Sequence, residues 1–446
     1  MKRFSAGPSY LRLSPHASLL YSGGIKGGQF RLTPYALRLL LPICLLLSPA
    51  LAQPAPHAHD EADKPALAQL VAEYLKSPDP AGRAEVLKKI NQTGASVDNV
   101  VHALQHGWFW EDRPANSTIA IRPGLTLTVT VPPSCKKGEL HPANLRIAVP
   151  IYVSHSGHSS KCVVELEIDD ALLPSDDIQA IVVAARKAVP IDSDALELIG
   201  REAMGNTAWS AFVARPDLFS RFVSMESYLD VPYPAQFYPL ILSNTYGVPV
   251  VNLWFFVDQD PESAAGLPAV KYNKLAIDWA RRNGMPWVGT DESGSGAALQ
   301  QPVRRPPVPP EFVHWFRYPH EGRAWWIRQT KFAGDVWEGD QLSIVTSAGV
   351  DRDQFITNVL QEKLAFFGGR IVGQTLHIET RKCADIEVLF FDGMVDLDQP
   401  VTIIINERQR FAGVIKPDMQ TMLERAYEEW DFQRPVLATK HFNIKP

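Results

Sequence analysis

The sequence predicts an α/β fold: a mostly parallel sheet with helices on both faces, a short helical region before it and a small β domain after it. Three observations point there. Between residues 118 and 298, short apolar strand-like runs alternate with amphipathic helical stretches, the pattern of βαβ units. The run Val250–Val257 is almost continuously apolar, as a strand covered on both faces must be. Beyond a proline-rich stretch near residue 300, helical periodicity gives way to short aromatic and β-branched runs.

A targeting signal lies unusually far into the chain, behind a basic stretch from Met1 to Tyr35. Arg38 precedes the apolar run Leu39–Leu47, and Ala50-Leu51-Ala52 before Gln53 supplies a small-residue cleavage site. Residues 1–52 therefore read as an N-terminal extension and signal peptide, which places the protein in the periplasm or outside the cell. The run is shorter than the roughly 20 residues of a membrane span, so no stable span is expected after cleavage. A lone membrane anchor or a buried helix is the alternative.

Residues 60–107 read as helical, because Leu67, Leu70, Val71 and Leu75, then Val97, Val100, Val101 and Leu104, recur at helical spacing. In the α/β region, 118–298, strands are expected at Thr126–Val131, Leu145–Val153 and Cys162–Ile168. A helix follows at Ser175–Ala188, then a strand at Ala195–Ile199 and a helix at Asn206–Ala214. Strands at Phe222–Met225 and Val250–Val257 and a helix at Val270–Arg282, stopped by Asn283-Gly284, complete it. Residues 299–323 form a stiff connector, with its prolines concentrated in Gln300–Pro310. Residues 324–446 read as a β-rich domain, with strands at Ala324–Gln329, Leu342–Thr346, Gln374–Glu379, Ile386–Phe391 and Val401–Ile405 and a helix near Met419–Trp430.

Composition narrows the function. Hydrophobic residues make up 46% and charged residues 21% of the chain, which fits a globular protein. A net charge of -5 over 446 residues gives no reason to expect nucleic acid or an anionic membrane as partner. Cys135 and Cys162 could close a modest disulfide loop in an exported protein, leaving Cys383 over. No cysteine or histidine spacing matches a zinc site, so neither a metal nor another cofactor is expected.

The most informative stretch runs Ile191-Asp192-Ser193-Asp194-Ala195-Leu196-Glu197-Leu198-Ile199-Gly200-Arg201-Glu202-Ala203-Met204-Gly205-Asn206-Thr207-Ala208-Trp209. It resembles the nucleophile elbow of secreted α/β-hydrolases of the prolyl-oligopeptidase-like and polyhydroxybutyrate-depolymerase-like kind. In those, an I-D-x-D strand approach leads into G-x-S-x-G-G and a helix carrying a tryptophan. Arg215-Pro216-Asp217-Leu218-Phe219 is similar to the family's helix exit, and Met394-Val395-Asp396-Leu397-Asp398-Gln399-Pro400-Val401 to a stretch found after such domains. The resemblance implies an α/β-hydrolase-like sheet. The short interval Cys162–Asp194 implies a sheet trimmed on that side.

An elbow serves hydrolysis because a tight strand-to-helix turn thrusts the nucleophile at substrate while nearby backbone N–H groups hold the oxyanion. Anchored on Gly200 and Trp209, Glu202 takes the serine position; anchored on Met204-Gly205, Ala203 takes it. Neither has a hydroxyl. The family's acid matches Asp260, with Asp258 as the alternative. Its histidine should follow the next strand, yet no histidine lies between His158 and His314. His314 and His320 either reach back over the site or are structural. His155, Gly157 and His158 sit where the family's oxyanion loop lies, and read as solvated loop, degenerate oxyanion loop or half of a metal site. The resemblance, with its serine and histidine positions unfilled, thus implies a non-catalytic binding or scaffold protein on a hydrolase fold, its ligand an unknown small molecule, ester or peptide. The alternative is an ester- or peptide-bond hydrolase with a non-standard site, Glu202 acting as carboxylate nucleophile.

Overall fold

The computed structural model describes residues 64–107, 109–110, 116–130, 146–149, 165–168, 177–201, 203–225, 238–253, 268–289, 303–306, 308–336, 349 and 351–444. Three helices come first: α1 (Lys64–Lys76), α2 (Pro80–Gln92) and α3 (Val97–His106). The α/β region follows with β1 (Asn116–Arg122), β2 (Leu125–Thr130), β3 (Arg146–Val149), β4 (Glu165–Ile168), α4 (Ile178–Ala188), β5 (Glu197–Arg201) and α5 (Ala203–Ala214). It closes with β6 (Arg221–Met225), α6 (Tyr238–Ser243), β7 (Val250–Leu253), α7 (Pro268–Arg282) and β8 (Trp287–Gly289). The C-terminal part holds β9 (Glu311–Phe316), β10 (Arg323–Ala324), β11 (Ile327–Phe332), α8 (Arg352–Lys363), β12 (Ala365–Val372), β13 (Thr375–Arg381) and β14 (Cys383–Phe391). It ends with β15 (Val401–Ile405), β16 (Arg408–Gly413), α9 (Met419–Glu429) and β17 (Val436–Asn443).

Strands β1 to β8 form one sheet in the order β1-β2-β4-β3-β5-β6-β7-β8. The β1–β2 hairpin turns at Gly124, whose φ of 80° suits a residue without Cβ. β2 runs antiparallel to β4, and every pairing from β4 to β8 is parallel. This is an α/β-hydrolase sheet. The expected trimming is absent: β4 and α4 fit into the interval between the third strand and the elbow, and eight strands result. Helix α5 carries Ala208, Trp209, Ala211, Phe212, Val213 and Ala214, all buried. A helix apolar on every side belongs inside a protein, and α5 lies directly on β5.

The C-terminal part is a two-sheet β unit, with β10-β11-β14-β17 in one sheet and β16-β15-β13-β12-β9 in the other. β9 begins within residues 299–323, the stretch read as connector. There Phe312, His314 and Phe316 point inward along an alternating strand, and Trp326 meets the Phe312 ring edge to face. A Cβ on Gly369 would meet the Trp326 ring at 2.3 Å, so glycine is required at that point. Asn406 and Glu407, with φ of 48° and 65°, make the tight turn joining β15 to β16.

The N-terminal helices are not a free-standing prelude. Leu67, Val71, Ile90, Val100 and Leu104 share a buried cluster with Met422, Leu423, Trp430 and Phe432 from the far end of the chain. Cys383 is free and buried, its thiol pushed up to about 12 by burial. Cys135 and Cys162 lie outside the described residues, as do the signal segment and the strand expected at Leu342–Thr346. No helix among the described residues is long and apolar enough to cross a membrane.

Candidate functional site

Parallel sheets present their ligands at the carboxyl ends of the strands. Here one row crosses that edge in register: Val149, Gly200, Ser224, Asn252 and Gly289, from β3, β5, β6, β7 and β8. Gly200 is the tightest point. A Cβ there would stand 2.6 Å from the Ala208 Cβ and 2.8 Å from the Gly205 Cα, so α5 approaches β5 only because residue 200 is glycine. One residue, Glu202, separates Arg201 at the end of β5 from Ala203 at the start of α5.

Beneath that junction the row is polar and sealed. Trp209 Nε1 on α5 donates to Ser224 Oγ at 3.3 Å. Asn252 is fully buried, and its amide nitrogen and oxygen both lack hydrogen-bond partners. Trp287 Nε1 is likewise buried without a partner. An unsatisfied buried amide costs about 1–3 kcal/mol, so a partner for Asn252 would be stabilising.

At the opposite end of β5, the Asp-x-Asp approach serves as an anchor. Asp192 Oδ1 accepts from Asp194 N at 3.0 Å, and its other oxygen pairs with Arg304 at 3.1 Å. Burial raises the Asp192 pKa against that pairing. Asp194 Oδ1 holds Arg305 at 3.0 Å and Arg434 at 2.9 Å. Arg305 reaches on to Asp431 at 2.8 Å, and Asp431 to Arg186 at 3.2 Å. Burial alone would raise the Asp431 carboxyl, but Arg186 and Arg305 hold it well below the usual carboxylate range. One buried network therefore ties the elbow approach, α4, the proline-rich stretch and the segment after α9 together. A second joint lies at β9, where Asn244 Oδ1 accepts from Trp315 N at 2.7 Å and Asn244 Nδ2 donates to Trp315 O at 2.8 Å.

Of the site residues expected from sequence, Glu202, Asp258, Asp260, His155, Gly157 and His158 lie outside the described residues. Ala203 is the first residue of α5. Arg215 is committed to Asp217, with two contacts of 2.9 Å, and to Gln179. His314 is fully buried on β9, stacked on Phe316 and 5.2 Å from the Phe367 ring. Its Nε2 donates to the Glu321 carbonyl at 2.6 Å, which fixes the proton on that nitrogen. Burial lowers its pKa to about 4. His320 stacks on Tyr318. Among the described residues, no group of three His, Cys, Asp or Glu side chains is placed to hold a metal ion.

Sequence reasoning missed Asn252 and the hub formed by Arg186, Arg305, Asp431 and Arg434. Asn252 sits in the apolar run Val250–Val257, where a lone amide is the visible signal. The hub residues are far apart in sequence, and each by itself reads as a solvated charge.

No family model matches the chain, and no curated protein matches it. Among solved structures, a thermostable esterase is 12% identical, covering 40% of this chain and 54% of its own, with a TM-score of 0.29. Dipeptidyl peptidase 4 of Porphyromonas gingivalis is 13% identical, covering 41% of this chain and 33% of its own, with a TM-score of 0.29. An esterase of the bacterial hormone-sensitive lipase family is 11% identical, covering 52% and 88%, with a TM-score of 0.25. The chain thus spans about half the length of the first and a third of the second.

Proposed function

We propose that this chain is an exported α/β-hydrolase-fold protein that binds an ester, peptide or other small ligand at the carboxyl edge of its sheet without catalysing its hydrolysis. One observation carries the reading. The nearest histidine after β8 is His314, and it is sealed inside the C-terminal sheets with its Nε2 proton given to Glu321. A general base must reach the proton it removes, and this ring is spent elsewhere.

The crowding of Gly200 by α5 supports the register that puts Glu202 at the nucleophile position. A carboxylate there, with an ordinary pKa of about 4.3, is anionic at neutral pH and repels a developing oxyanion. In this reading Asp260 takes the acid's position, and His155, Gly157 and Ala203 the oxyanion positions, by sequence alone, and the histidine that the family places after the next strand is missing from that interval. The unpartnered Asn252 amide, close under the same edge, is suited to a ligand's polar group.

The test is a fluorophosphonate probe on the folded, full chain. The expected result is no labelling above that of the heat-denatured protein. Labelling of a serine that disappears on denaturation overturns the reading.

A further inference from the structure

Between α4, the proline-rich stretch and the β10 strand lies a small cleft lined by five guanidinium groups, those of Arg186, Arg215, Arg305, Arg323 and Arg434. Three carboxylates line it with them: Asp217, Glu429 and Asp431. Asp194, bound to Arg305 and Arg434 from behind, brings the negative charges to four against five positive. One positive charge is left uncompensated in a buried place, where an unpaired charge is costly.

The donors are uncompensated too. Arg186 is nearly fully buried, donates through Nη1 to Glu429 O and through Nη2 to Asp431, and leaves its Nε–H without a partner. Arg323 is paired twice to Glu429 through its terminal nitrogens, and its Nε–H is also without a partner. The free volume is about 30 Å³, room for about two water-sized occupants, which suits a small anion better than a bulky one. The unpartnered Oδ1 of Asp431 in the same cleft calls for a donor, so water is the competing occupant.

We infer that this cleft is a binding site for one small monovalent anion of halide size, held by the Arg186 and Arg323 Nε–H groups, which locks the C-terminal part onto the α/β sheet. Burial, with the neighbouring Arg305 after it, draws the Arg434 pKa down to about 10, while carboxylates raise those of Arg305 and Arg323. The inference is independent of whether the edge of the sheet catalyses anything.

Two measurements test it on the full chain. Thermal unfolding is compared in sodium chloride and in sodium gluconate at equal ionic strength, gluconate being too large to enter. The midpoint is expected to be about 2–4 °C higher in chloride, saturating with concentration. Arg186→Lys keeps a cation beside Asp431 but has no Nε–H donor, and is expected to lose that difference. Equal midpoints in the two salts, or an undiminished difference in Arg186→Lys, overturn the inference. Crystals of the unaltered protein in bromide give the second readout, which stands even if the variant does not fold. An anomalous peak between Arg186 and Arg323 is expected, and water alone in the cleft overturns the inference.

Discussion

The two ends of β5 look alike in the sequence, both carrying pieces of a hydrolase motif, yet they do different work. At the amino end Asp192 and Asp194 are held by Arg304, Arg305 and Arg434. At the carboxyl end Gly200 admits α5, while Asn252 leaves buried polar atoms unanswered in the same row. The lesson is that a catalytic motif contains scaffold and chemistry side by side. The scaffold half is visible here in Gly200, α5 and the Asp192–Asp194 anchor, and the chemistry half is what the experiments below address.

The contrast can be broken most severely from the scaffold side. Asp431→Asn strips the shared carboxylate from Arg186 and Arg305, leaving two buried cations short of a partner. It is expected to cost about 3–5 kcal/mol, read by denaturant unfolding. A loss under 1 kcal/mol places the hub's weight elsewhere.

Next comes His314. Its folded pKa of about 4 lies below the ordinary value of 6.5, so between those pH values the unfolded chain binds a proton that the folded chain refuses. Stability therefore falls as pH drops from about 6.5 toward 4, by roughly 3 kcal/mol at most. His314→Phe is expected to flatten that part of the stability profile. An unchanged slope removes His314 as its source.

Gly200→Ala sharpens the comparison at the other end. The added methyl meets helix and backbone atoms well inside contact distance, and a cost of about 1–3 kcal/mol is expected, with the thermal midpoint as readout. The smallest effect should come from Arg304→Ala. The Arg304 side chain is 63% exposed where that of Arg305 is 5%, so its pairing is worth at most about 1 kcal/mol and fades with added salt.

How much of this was legible before any coordinates follows from where each residue's energy lies. β5, β6 and β7 announced themselves because strands covered on both faces are apolar runs, and α7 because Ala276, Ile277 and Ala280 make a stripe. β16 gave no signal, since Arg408, Gln409 and Arg410 form an exposed edge with little to bury. β9 was hidden by the prolines just before it, although its alternation of Phe312, His314 and Phe316 was there to be read. The elbow was visible because Gly200 and Trp209 are local signals. The hub was not, because its pairings join residues more than 100 positions apart: Arg305 with Asp194, and Asp431 with Arg186. Asn252 was hidden in the same way, for its neighbour Ser224 comes from another strand.

The central claim is that the turn between β5 and α5 carries no working nucleophile. It is tested most directly by the initial rate of short acyl ester hydrolysis, measured for the unaltered chain and for Glu202→Gln. Both are expected to match the rate of the ester in buffer alone. Turnover by the unaltered chain that Glu202→Gln abolishes contradicts the account.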